Sequence, residues 1–167
     1  DFEALLERVH ESKSAHYQAL LASGAVRLRP DITQLIFDAR TEGLQLAIAS
    51  SSMQRNIVGL LRANLGLQAD LWFSVIGSGD NVRVKKPAPD VYLHVLAALQ
   101  VPPHDCLAIE DSPHGLAAAT AAGIPTVIVG SDYREPGDLG GARMVLGQGE
   151  RLSLDQLRLW HATAVRR

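Results

Sequence analysis

The sequence predicts an α/β fold built on a mainly parallel sheet, and two observations carry that prediction. Short, nearly continuous apolar runs recur at Leu44 to Ser50, Cys106 to Glu110 and Thr126 to Val129, the pattern of strands buried on both faces of a parallel sheet. Between such runs lie helical periods of roughly 10–13 residues, bounded by Pro, Ser, Asp or Gly where helix ends favour them.

The elements follow in order. Leu5, Leu6, Val9, Lys13, Tyr17, Leu20 and Leu21 recur at helical spacing from Asp1 to about Leu21, and Gly24 stops that helix. Pro30-Asp31 opens a second helix to about Glu42, closed by Gly43. The strand Leu44 to Ser50 leads into a helix from Ser52 to Asn64, with a strand near Leu71 to Ile76 after it. Next come a helix Pro89 to Leu99, a strand Cys106 to Glu110, a helix Pro113 to Ala122 and a strand Thr126 to Val129. A Gly-, Asp- and Pro-rich surface loop spans Gly130 to Gly141, before a weaker strand at Arg143 to Leu146 and a closing helix Leu154 to Val165.

Composition narrows the function. With 167 residues, 47% hydrophobic and 20% charged, the chain has material for one folded domain with a small appendage. The net charge is −2, with the positive residues scattered, so the broad basic face of a nucleic-acid or anionic-membrane binder lacks support and a small-molecule partner is expected. No apolar run reaches the ~18 residues of a membrane-spanning helix. Cys106 is the single cysteine and reads as a strand thiol in a reducing cytoplasm. The opening Asp1-Phe2-Glu3-Ala4 has no initiating Met and no signal-peptide pattern, so the reading expects a fragment.

Ligands of an open parallel sheet bind beyond the carboxyl ends of its strands. Three groups stand there. Ser50-Ser51-Ser52 brings hydroxyls and free N–H groups to a helix N-terminus, a seat for phosphate, with helix capping by Ser52 as the plain alternative. Lys85-Lys86-Pro87-Ala88-Pro89-Asp90 holds an ammonium in a turn stiffened by proline, in a chain where lysine occurs only as Lys13, Lys85 and Lys86; such a group acts as a point charge on an anion. Glu110-Asp111, followed by the cap Ser112-Pro113, sets two carboxylates together at a strand end, where they need a cation and suit Mg²⁺. No P-loop, complete dinucleotide fingerprint, nucleophile elbow or His-Glu-x-x-His occurs. His16, His94 and His161 read as surface or boundary residues.

In this order, Leu46 to Ser52, Lys86-Pro87-Ala88-Pro89-Asp90, and Ile109-Glu110-Asp111-Ser112 with Gly115 and Ala121-Ala122-Gly123 resemble motifs two, three and four of the haloacid dehalogenase-like hydrolases. They are most similar to the β-phosphoglucomutase-like branch, which includes phosphoglycolate phosphatase and Calvin-cycle sugar-bisphosphate (xylulose bisphosphate) phosphatases. The resemblance implies a Rossmann-like three-layer α/β/α core over 25–167, with 1–24 a remnant of the branch's helical cap and its linker. It also implies a Mg²⁺-dependent hydrolase of small phosphate esters, sugar phosphates or bisphosphates, working through an aspartyl-phosphate. On that resemblance Ser50 and Lys86 hold the transferring phosphoryl group, with Ser51, Asn56 and Lys13 toward the substrate and Glu110 and Asp111 on the metal.

One feature departs from the family. Its nucleophile is the first Asp of an Asp-x-Asp pair ending a central strand, and no two aspartates here are two apart. That strand would lie between those ending at Ser50 and Glu110; without it, two edges face a gap about 10 Å wide, twice the usual spacing of ~4.8 Å. An inactive chain is therefore expected, one that is marginally stable and aggregates, pairs the two strands directly, or needs a complementing segment. The alternative is a non-catalytic phosphate-binding or interaction module. A phospho-acceptor receiver domain is disfavoured, because there the acidic pair comes first and the lysine last.

Overall fold

A computed structural model of the chain describes residues 2–130, 139–147 and 149–165. Its elements in chain order are α1 (Phe2–Ala22), α2 (Pro30–Thr41), β1 (Ala47–Ala49), α3 (Gln54–Leu65), β2 (Val75–Gly77), α4 (Asp90–Leu99), β3 (Ala108–Glu110), α5 (Pro113–Ala121), β4 (Thr126–Val129), β5 (Met144–Leu146) and α6 (Leu154–Val165), with single 3₁₀ turns at Ala69–Trp72 and Pro103–Asp105. The helix and strand order matches the sequence reading. Most of the predicted 130–141 loop lies outside the described residues.

All described strand pairs are parallel, in two sheets of order β1-β2 and β3-β4-β5. Strand β4 is buried along its whole length, as the apolar run Thr126 to Val129 demands, while the edge strand β5 exposes Met144 and Val145. Val91, Tyr92 and Leu96 of α4 pack with Ala108 and with Ala118, Ala119 and Ala122 in and after α5. Leu35 of α2 and Leu154 and Leu157 of α6 pack with Val127, Val129 and Leu146. The chain thus forms the Rossmann-like α/β/α arrangement, each fully buried Val or Leu contributing about 1.5–3 kcal/mol. Among the described residues β1 and β3 do not pair with each other, so direct pairing of the two strands does not occur.

Several expectations are corrected. The first strand is three residues long, half-buried rather than buried on both faces, and Leu44 before it is exposed. The run Leu71-Trp72-Phe73 is not strand: Asp70 is tied to Arg62 at 2.8 Å, and the Trp72 ring packs at a tilt against Phe37 and lies under Arg40, so side chains hold Ala69–Trp72 in a 3₁₀ turn and the strand begins at Val75. Cys106 precedes β3, half-buried, and burial followed by the Asp105 charge pushes its thiol up. His16 and His94 are exposed and His161 is at the boundary. No described helix is long and apolar enough to cross a membrane.

The segments that follow β4 and β5 are fastened to α2 by one cluster. Arg29 grips Asp31 at 3.1 and 2.9 Å, donates to the Gly130 carbonyl at 2.5 Å, and Asp31 accepts the Leu152 N–H at 3.2 Å. Burial pushes the Asp31 carboxyl up, but the Arg29 guanidinium and the Leu152 and Ile32 amides outweigh it, so it sits below its ordinary value. A carboxyl lowered in the folded state adds stability above its unfolded pKa of about 3.9, and that stability is lost as pH falls through the lower folded value. Asp31→Asn is expected to cost about 1–2 kcal/mol at pH 7 and progressively less as the pH falls below the unfolded value of about 3.9, read as the pH dependence of the gap in thermal midpoint between the two proteins.

Candidate active site

The three sequence groups meet where β1 and β3 end. The Lys86 ammonium donates to the Ala49 carbonyl at 2.9 Å and forms an ion pair with Glu110 Oε1, so one side chain bridges the carboxyl ends of strands in different sheets. Pro87 and Pro89 hold the turn that delivers it, and Pro89 caps α4 rather than opening it, with Asp90 at the positive end of the helix dipole. Lys86 is 12% exposed and Glu110 8% exposed.

Glu110 is enclosed from every side. The Tyr92 hydroxyl of α4 also donates to Oε1, and the Tyr92 ring lies 4.9 Å beneath the Lys86 ammonium. Oε2 lies against the first turn of α5, where a Cβ on Gly115 would stand 1.9 Å from it. Only glycine admits this approach. Ser112 caps α5 as expected, accepting the Gly115 N–H at 3.1 Å. Burial, then the Glu110 charge, pushes the Tyr92 phenol far above its ordinary range.

Ser50 follows directly on Ala49; its N–H goes to Gly77 at 2.9 Å and its hydroxyl oxygen accepts the Ser52 N–H at 3.1 Å. Ser51 is exposed beside it. Ser52 does not cap α3: Asp80, from the loop after β2, accepts the Gln54 N–H at 2.8 Å. That loop is locked around buried Ser78, whose N–H and hydroxyl both reach Asn81 Oδ1 at 2.8 Å, and Gly79 packs so closely that its Cβ would stand 2.4 Å from the Ser51 carbonyl. Lys85 donates to the Gly79 carbonyl. The serine turn is therefore held from the β2 side.

Two other predicted residues lie on α3 and α1. The Asn56 side-chain oxygen accepts from Ser14 at 2.9 Å and Gln18 at 3.0 Å, both on α1, so Asn56 docks α1 onto α3. Lys13 is exposed on α1, as are Arg8, Val9 and His16 of the same helix.

Glu110 and Asp111, the expected metal ligands, stand in different surroundings. Mg²⁺ requires about six oxygens in octahedral array. Oε1 of Glu110 carries two hydrogen bonds and Oε2 is packed on α5, while Asp111 is exposed, with no ion pair among the described residues. No group of three or more His, Cys, Asp or Glu that could hold a metal exists among the described residues.

Sequence reading missed Tyr92 and Asp80. Tyr92 stands six residues after Lys86 in an apolar helix and reads as core; Asp80 lies in a loop whose packing on Ser51 and Ser52 is tertiary.

The α/β/α core thus gathers a serine turn, a lysine and a carboxylate at its strand ends. The chain belongs to the haloacid dehalogenase-like hydrolases: the sequence pattern of that family matches residues 2–123. It is 43% identical over 140 residues to Protein CbbY of Rhodobacter capsulatus, covering 84% of this chain and 62% of that protein. It is 44% identical over 141 residues to the plasmid-borne Protein CbbY of Cupriavidus necator, covering 84% and 56%. The chain thus spans somewhat over half the length of these relatives. Among solved structures it resembles CbbY of Rhodobacter sphaeroides in complex with phosphate, with a TM-score of 0.79 and 37% identity over 85% of this chain and 66% of that one. A mutant of the same protein in complex with xylulose-(1,5)bisphosphate superposes with a TM-score of 0.80 at 37% identity over 87% of this chain and 68% of that one.

Proposed function

We propose that this chain is the phosphate-handling core of a phosphatase or phosphomutase for small phosphate esters, sugar phosphates or sugar bisphosphates. The observation that carries the reading is the Lys86 ammonium fixed between the Ala49 carbonyl and Glu110. An ammonium has three protons. Two are committed, and the third is left for a phosphoryl oxygen, the group whose negative charge such chemistry must offset. The Ser50 hydroxyl accepts from the Ser52 amide, which leaves its own O–H to donate to a second phosphoryl oxygen, with Ser51 alongside. Similarity to proteins solved with phosphate and with xylulose bisphosphate supports the substrate class.

Residues 1–24 act on this reading as part of a cap packed on α3. The family's aspartyl-phosphate route needs a carboxylate nucleophile, and the Asp-x-Asp pair is not among these 167 residues. Mg²⁺ dependence belongs to the same proposal, with Asp111 the carboxylate open to a cation and Glu110 withheld. The chain is therefore expected to bind inorganic phosphate, to bind Mg²⁺ weakly, and to release no phosphate from a panel of sugar phosphates with Mg²⁺ present. Turnover that disappears in Lys86→Ala, or tight stoichiometric Mg²⁺ binding by calorimetry that is abolished in Asp111→Ala, overturns the account.

A further inference from the structure

One carboxylate oxygen of Glu110 accepts from two donors, and the second donor is not part of any motif read from the sequence. The Tyr92 hydroxyl and the Lys86 ammonium meet at Oε1, and the ring that carries the hydroxyl lies under the same ammonium. Tyr92 is buried at 7% exposure and Oε2 is blocked by Gly115. The carboxylate therefore has a single seat, and α4 supplies both its floor and its latch. Burial and the Glu110 charge raise the pKa of the phenol and so favour its protonated, donating form.

We propose that Tyr92 is a positioning residue, whose hydroxyl and ring hold Glu110 as the counter-ion of Lys86 and thereby aim the uncommitted proton of the ammonium at the phosphate. The proposal rests on the function given above for its phosphate arm only. Without the phenol, Glu110 keeps one partner and can rotate with the ammonium attached, since both side chains are flexible; the Ala49 contact is then lost and the donor directions scatter. A ring without its oxygen fills the same volume, so packing and positioning separate cleanly in Tyr92→Phe.

The chain has three lysines, so a sample labelled with ¹⁵N at lysine Nζ gives three ammonium groups to follow, Lys86 being assigned by its disappearance in Lys86→Arg. In the unsubstituted chain the Lys86 ammonium, hydrogen-bonded and shielded, is expected as a protected signal. In Tyr92→Phe that signal should broaden away or shift while backbone amide signals remote from α4 stay in place, and affinity for inorganic phosphate should fall about fivefold. Glu110→Gln, which keeps an acceptor for the phenol but removes the counter-ion, should alter the Lys86 signal in the same way. An unchanged Lys86 signal with phosphate affinity within twofold in Tyr92→Phe overturns the proposal. So does general collapse of the amide spectrum, which makes Tyr92 a packing residue, or a Lys86 signal untouched by Glu110→Gln. If the unsubstituted chain binds no phosphate, the proposed function fails, and the ammonium signal still decides the role of Tyr92.

Discussion

Lys86→Met is expected to abolish inorganic phosphate binding and to lower the stability of the chain by about 3–5 kcal/mol at pH 7. Lys86 and Glu110 are 12% and 8% exposed, so truncating the cation leaves a carboxylate buried with the Tyr92 hydroxyl as its remaining partner, and the Ala49 carbonyl loses its donor as well. That cost belongs to the stranded charge rather than to the pair. Removing both charges in Lys86→Met with Glu110→Gln should recover most of the stability, because a neutral amide of the same shape still accepts from Tyr92. Phosphate binding should stay absent. Urea denaturation of the two single variants and the double variant gives the coupling energy directly. Additive losses would mean that the two side chains do not share one buried interaction, and phosphate binding restored in the double variant would remove Lys86 from the site.

The same cluster shows which parts of the fold and site a sequence displays. Ser50, Lys86 and Glu110 are legible because each follows a strand-sized apolar run or a proline-stiffened turn, and parallel-sheet topology sends all such ends to one edge. The helices are legible for a similar local reason: Pro30-Asp31, Ser112-Pro113 and Gly43 act within their own turn. What acts between elements is not displayed. Asp80 caps α3 from 26 residues downstream, so Ser52 passes for the cap in any local reading. Trp72 belongs to an apolar triplet that looks like strand, and only the packing of Phe37 and Arg40 from α2 against its ring shows why it turns instead. Asn56 reads as a ligand-facing residue until α1 packs across it and takes its oxygen. Adjacency suggests that Glu110 and Asp111 share a task, yet successive residues leaving a strand point in different directions. One is buried and pinned, the other exposed.

Gly115→Ala is expected to destabilise the chain, against the usual sign for that substitution. In a helix interior alanine is ordinarily better than glycine by about 0.8–1 kcal/mol, because it restricts the unfolded chain. At position 115 the added carbon would stand 1.9 Å from Oε2 and 2.3 Å from Cδ of Glu110, far inside any tolerable contact, so the carboxylate must leave its seat. A free surface glutamate would swing aside at little cost. This one is held by Lys86 and Tyr92 together, and moving it breaks both bonds and exposes the ion pair to rearrangement. Overpacking of about 1–3 kcal/mol plus the disrupted pair should exceed the propensity gain, for a net loss of about 2–4 kcal/mol. The decisive measurement is the same substitution in a Glu110→Ala background, where the obstructing carboxylate is gone. There Gly115→Ala should become neutral or stabilising in thermal unfolding, a reversal of sign that only the contact between these two residues can produce. A loss of equal size in both backgrounds would place the strain in the backbone of α5 and separate Gly115 from the site.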